Sequence, residues 1–293
     1  MQRGEISSLI SLLDDKDSEV AQAAMSRLCS KGEGVIPDLE RAWQECMDEL
    51  PLVRIEHIIA QIQSSVTLQK LKEWVESGAA DLFQGAYYMA KLVHCDIACE
   101  PLAQTLSSIC QAIWVEFNSY LTALEKVNII NHILFNTYGF RNNGMQPNAA
   151  PELFLIDNLL QNKMGNSVAL STLYLCIAEQ LKLPIKGLNM PHGIMLAYLD
   201  EYGEEGQSLF YIYPFFHGQV LGRQQVELIV NRNLIGESYQ HHYLHTCSNQ
   251  VYVCRLAESL RDAFAHVGQR EPLAKIASAI EILSKGAATK RPG

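Results

Sequence analysis

The sequence is short of basic residues, has no long apolar run, and lacks the glycine- or cysteine-dense motifs of a phosphate loop or a zinc ligand set. Lys and Arg total 23 against 32 Asp and Glu, a formal net charge of −9. That balance argues against nonspecific binding to nucleic acid or to an anionic membrane surface, both of which need basic patches. The only dense basic stretch, Lys290-Arg291, lies in the tail and reads as solvated chain. No apolar run approaches the roughly 20 residues that cross a bilayer. The first apolar stretch breaks at Asp14-Asp15 and offers no small-residue cleavage site, so no signal peptide is expected. GMQP and GEEG are isolated turns, and neither CxxC nor HExxH occurs, so no cofactor is expected.

What is present is ordinary globular composition. The 293 residues are 48% hydrophobic and 19% charged, with mean hydropathy near zero, enough to bury a substantial core. Eight cysteines (29, 46, 95, 99, 110, 176, 247 and 254) mostly fall inside apolar helical patterns. Without a secretion signal they read as buried thiols of a reducing, cytoplasmic compartment.

Residues 5 to about 135 read as successive helices. Ile6, Leu9, Ile10 and Leu13 form one apolar face, Asp14 to Asp17 a turn, and Val20, Ala23, Ala24 and Leu28 a second face. An Asp-rich turn between short amphipathic helices suggests HEAT-like pairs. The stretch after Pro51 (LVRIEHIIAQIQ, then LQKLKEWVES) reads as a further pair. Two more helices, 79–94 and 97–118, part near Cys95-Asp96. Thr122 opens another, with Glu125 three residues on completing a capping-box pattern. Residues 138–150 are rich in Gly, Asn and Pro and read as a loop. At the other end, 251–267 and 272–284 predict a TPR-like helical hairpin. The expected domains are a helical region over 1–120, a core over 121–235, and a linker with the hairpin over 236–293.

The stretch from Lys163 to Tyr213 organises the rest. A strongly apolar helix pattern from Ser167 to Leu181 stops at Pro184. Two short apolar runs follow, with His192 opening the second, and a third run carries Tyr211 and Tyr213. Helix first, then antiparallel strands with a histidine at a strand start, is an arrangement suited to cysteine–histidine acyl transfer.

Gly165-Asn166, the following SVALS, Leu183-Pro184, Pro191-His192 and Tyr213-Pro214-Phe215 resemble the transglutaminase-like superfamily, and more closely its SirB-type bacterial branch. The LTALEKVNIINHILFNTYGF stretch (121–140) resembles that branch as well. Together with the helical patterns, the resemblance implies an α+β, mostly helical protein: a HEAT-like N-terminal region, a papain-like core with a short antiparallel sheet, and the C-terminal hairpin. In catalytic members a cysteine stands 17 residues before the proline that ends the helix; here that position is Ser167. A helix N-terminus lowers a thiol pKa toward the thiolate, but leaves a hydroxyl protonated. His192 matches the family base, and Tyr213 stands where an aspartate would orient it. A phenol stabilises imidazolium poorly beside a carboxylate.

The resemblance therefore implies a degenerate triad, Ser167, His192 and Tyr213; with the helical repeats and hairpin as binding surfaces and no secretion signal, the expectation is a cytoplasmic protein that binds a protein or peptide partner without cleaving it. The competing expectation is a Ser167–His192 amide or ester hydrolase. Plainer readings make Ser167 an N-cap or first-turn residue, His192 a turn histidine, and Tyr211 and Tyr213 packing residues. Cys176, mid-helix, reads as core. His241, His242, His245 and Cys247 put four possible ligands within seven residues, but their flanks carry no helix signal. They read as a polar loop, and no metal site is expected there or at His94, Cys95 and Cys99.

Overall fold

A computed structural model describes residues 2–46, 49–144, 150–190, 195–201, 203, 206–233 and 241–288. The described chain is mostly helical with two small sheets, and its internal contacts divide it into Met1–Lys70 and Leu71–Gly293. No helix among the described residues is long and apolar enough to cross a membrane.

In the first unit, α1 (Gln2–Ser11), α2 (Ser18–Ser30) and α3 (Ile36–Glu45) precede α4 (Glu49–Glu76), whose last turns pass the unit boundary. Asp17 caps α2, its Oδ1 accepting from the Glu19 amide at 2.9 Å, so the acidic turn starts the helix that the sequence predicts. Leu13, Leu28, Leu39, Ile55 and Ile58 form the core of this unit. The two helices expected after Pro51 are one continuous helix of 28 residues. No Gly or Pro interrupts it beyond residue 51, and the polar break is neutralised locally. Ser64 and Thr67 donate their hydroxyls to the carbonyls of Ala60 and Gln63, each at 2.7 Å, which keeps both inside the helix.

The second unit is built around one buried helix. In chain order come α5 (Leu82–Val93), α6 (Cys99–Glu116), α7 (Ala123–Asn131), β1 (Arg141–Asn142), α8 (Ile156–Asn162), β2 (Met164–Gly165) and α9 (Ser167–Gln180). After α9 come β3 (Ile185–Gly187), β4 (Leu196–Leu199), β5 (Ser208–Tyr213), β6 (Gln219–Leu221), α10 (Arg223–Asn233), α11 (Asn249–Val267) and α12 (Arg270–Ala288). Every residue from Val168 to Ala178 is buried, because α5, α6 and α8 all pack on α9 and β3 lies beside it. A helix apolar on all sides demands such a covering. Thr122 and Glu125 form the predicted capping box at the start of α7.

The larger sheet is antiparallel in the order β3-β4-β5-β6. Ala197 and Tyr211 are register partners, and both join a cluster with Val226 and Val230 of α10 and with Tyr243 and Leu244. The 138–150 region is not wholly loop. Within it β1 pairs in parallel with β2, while His132–Thr137 just before it continues α7 as π-helix. The described stretch before α11, 241–248, is a solvated loop only in part, with His245 and Thr246 exposed. Tyr243 and Leu244 are buried, and the Cys247 amide donates to the Gly187 carbonyl at 2.9 Å.

The C-terminal hairpin forms as its pattern predicts. Ser248 caps α11, Gly268 ends it in the left-handed region, and both α11 and α12 pack on α5. The cysteines are less buried than their contexts suggest. All are free thiols, and only Cys110 and Cys176 are buried.

Candidate functional site

The start of α9 is held by backbone on two sides. The Asn143 amide donates to the Gly165 carbonyl at 3.1 Å, and the Asn166 amide donates to the Leu153 carbonyl at 3.0 Å. Gly165 fits because a Cβ there would stand 3.0 Å from Leu159 Cδ1 and 3.1 Å from Ala169 Cβ. Asn166, in extended backbone, is the N-cap: its Oδ1 accepts from the Ala169 amide at 3.0 Å. Ser167 is therefore the first helical residue and not the cap, and it is half-buried. Of the two plain readings of Ser167, N-cap or first-turn residue, the structure has the second.

Tyr213 is the last residue of β5, and its neighbour Pro214 opens a 3-10 turn, Pro214–Phe216, that packs on α9. Two asparagines tie down this turn. Asn142, on β1 beside Gly165, donates to the Phe215 carbonyl at 2.8 Å, and Asn131 donates to the Gly218 carbonyl at 2.8 Å. Tyr174 of α9 donates its hydroxyl to Asn131 Oδ1 at 3.2 Å. The α9 start and the turn after β5 thus belong to one hydrogen-bonded frame, and sequence reading found neither asparagine. Their partners lie 43 to 87 residues away, beyond any local pattern.

The ring of Tyr213 packs against the cluster shared by the sheet and α10, and meets Phe216 edge-on with centroids 5.0 Å apart. Burial pushes its phenol above the usual range, so it stays protonated. It can share a proton in a hydrogen bond but cannot supply the negative charge of a carboxylate. His192 lies outside the described residues. The structure thus places Ser167 and Tyr213 on elements of one frame.

Cys176 sits deep in α9, fully buried, and burial drives its thiol well above the usual value, the opposite of an activated nucleophile. In the histidine-rich stretch, His241–Leu244 is a 3-10 turn, and the side chains of His241 and His242 lie outside the described residues. Burial pushes the Cys247 thiol up to about 11. Among the described residues no group of three or more His, Cys, Asp or Glu could hold a metal ion.

One titratable pair escaped sequence reading altogether. His94 Nδ1 lies 2.7 Å from Oδ2 of Asp157, and Asp157 is buried. The partners stand 63 residues apart, with no pattern linking them.

Comparison with known proteins agrees with this architecture. A family model described as the transglutaminase-like superfamily matches residues 100–258, from α6 through the sheet and into α11. The match covers more than half of the chain, and the chain belongs to the transglutaminase-like superfamily. Among curated proteins it is similar to F-box only protein 21 of Mus musculus and of Homo sapiens, each 27% identical over 120 residues. Those alignments cover 39% of this chain and 19% of either relative, so the chain spans about a fifth of the length of the curated proteins it matches. No solved structure matches it significantly.

Proposed function

We propose that the chain is a catalytically degenerate member of its superfamily, of the SirB-type branch, that binds a protein or peptide partner through the frame at the start of α9. The observation that carries this reading is Tyr213. It stands where catalytic members have a carboxylate, and burial keeps it neutral and packed toward α10. A base at His192 would lack a negative partner there, and a serine in place of a thiol needs a stronger base. The α11–α12 hairpin, read as TPR-like, and the HEAT-like pairing of α1 to α3 supply further surface for a partner. The location that fits this role is cytoplasmic.

The reading is tested by quantitative affinity purification of the full chain beside His192→Ala. A partner bound by the wild type and lost in the variant is the expected result; partner sets that do not differ would remove the frame as the binding site.

A second reading has one observation in its favour. Because Asn166 takes the capping role, the Ser167 hydroxyl is free of it, and the residue is half-buried at a helix N-terminus. A Ser167–His192 amide or ester hydrolase would use that hydroxyl as nucleophile and the helix amides as oxyanion donors. Turnover of an ester substrate that disappears in Ser167→Ala would establish it.

A further inference from the structure

A cavity of about 570 Å3 opens beside the α5–α6 connection, within the size range of small-molecule sites, roughly 300–1,000 Å3. Apolar Ile97, Pro101 and Leu102 share its wall with His94, Asp96 and Gln161. His94 ends α5 as its C-cap residue, and Asp157 lies in the first turn of α8. The carboxylate can only accept, so the shared proton sits on Nδ1 and the hydrogen bond selects the tautomer. That leaves Nε2 as a lone-pair acceptor on a ring whose side chain is 37% exposed. Asp157 is only 3% exposed, and its other oxygen, Oδ1, has no hydrogen-bond partner among the described residues.

We propose that this cavity is a second ligand site, separate from the α9 frame, where neutral His94 accepts an O–H or N–H from a small alcohol or amine. The charge around it selects the ligand class. Asp96 lies in the wall, Glu100 in the first turn of α6, Glu152 in the turn before α8, and Asp157 behind the ring. Against these stand two lysines. Lys91 Nζ is held by the carbonyls of Cys95 and Ile97 at 3.0 and 2.9 Å, and Lys275 acts on the Cys95 thiol. An acidic surrounding favours a neutral or cationic ligand over a carboxylate or phosphate. Cys95 does not compete as a nucleophile, because burial and Asp96 hold its thiol above the usual value.

The proposal carries a pH dependence with a fixed sign. The hydrogen bond to Asp157 raises the His94 pKa despite partial burial. Protonation removes the acceptor, so binding weakens as pH falls through that value, by about tenfold for each unit below it. The test is NMR of the histidine side chains in the full chain, with ethanolamine as probe and propionate as an anion of similar size. The expected result is an Nδ1–H tautomer at His94 near pH 8.5, His94 shifts with ethanolamine that fade toward pH 5.5, and little response to propionate. Asp157→Asn is expected to weaken ethanolamine binding at least about threefold, with unchanged His217 signals reporting an intact fold. An Nε2–H tautomer in the wild type, propionate binding as tightly as ethanolamine, or no shift with either probe would overturn the proposal. The tautomer and pH arms use the wild type alone, so they decide even if the variant does not fold.

Discussion

The second unit holds two candidate orienting groups for a histidine, one given by the family resemblance and one by an observed contact, and they differ in charge. At the α9 frame, the position that follows the family pattern is Tyr213, a phenol that burial keeps protonated. At the α5–α6 cavity, outside any motif, His94 meets the carboxylate of Asp157 at 2.7 Å. A neutral phenol gives a hydrogen bond without a charge, whereas a carboxylate fixes the tautomer and stabilises the imidazolium. Position in a family motif and possession of the chemistry are therefore separate properties, and here they fall on different residues.

The largest expected effect comes from breaking the frame. Gly218 has φ of +71°, and a Cβ there would overlap Asn131 Oδ1. Gly218→Val is expected to cost about 3 kcal/mol or more, read by denaturant unfolding, because it strains the turn and ejects the asparagine that bonds it. Asn166→Ala removes a buried helix cap and is expected to cost about 1–2 kcal/mol, while Ser167→Ala stays within about 0.5 kcal/mol. Equal losses in those two variants would contradict the assignment of the cap to Asn166.

The next effect sharpens the contrast at the other pair. Asp157→Asn is expected to cost about 1 kcal/mol, since the His94 side of the pair is partly exposed, and to lower the His94 pKa. The sign of its pH dependence follows from linkage. A folded-state pKa raised above the unfolded value gives stability that is fully present below the unfolded pKa and is lost as pH rises through the folded one. Wild type and Asp157→Asn should therefore differ most on the acid side and converge above the folded pKa of His94. A gap that widens with pH would contradict the role given to Asp157.

The smallest structural change tests what the frame retains. Ser167→Cys puts sulfur at the N-terminus of α9, where the helix field favours a thiolate. The introduced thiol is expected to react with iodoacetamide faster than Cys95 or Cys247, whose thiols burial holds up, with little change in stability. If it reacts as slowly as those two, the site no longer activates a nucleophile.

Much of the fold was legible because its signals are local. The capping box at Thr122, the apolar run of α9 ending before Pro184, and the hairpin stopped at Gly268 each lie within one element. The misses share a cause. The β1–β2 pair is two residues long, too short to show alternation, and α4 carries a polar patch that only its own carbonyls absorb. At the site, the family resemblance points to Ser167 and Tyr213, and the structure gives the elements that carry them. Asn131, Asn142 and the His94–Asp157 pair depend on contacts between distant segments, which no periodicity encodes.

Whether the α9 frame still catalyses is most directly decided by treating the full chain with a fluorophosphonate and measuring intact mass, beside Ser167→Ala. A serine activated by a neighbouring base is modified covalently, and one without such a base is not. The expected result is no adduct at Ser167 in either protein. A wild-type adduct that disappears in Ser167→Ala would contradict the degenerate reading and establish a working serine nucleophile.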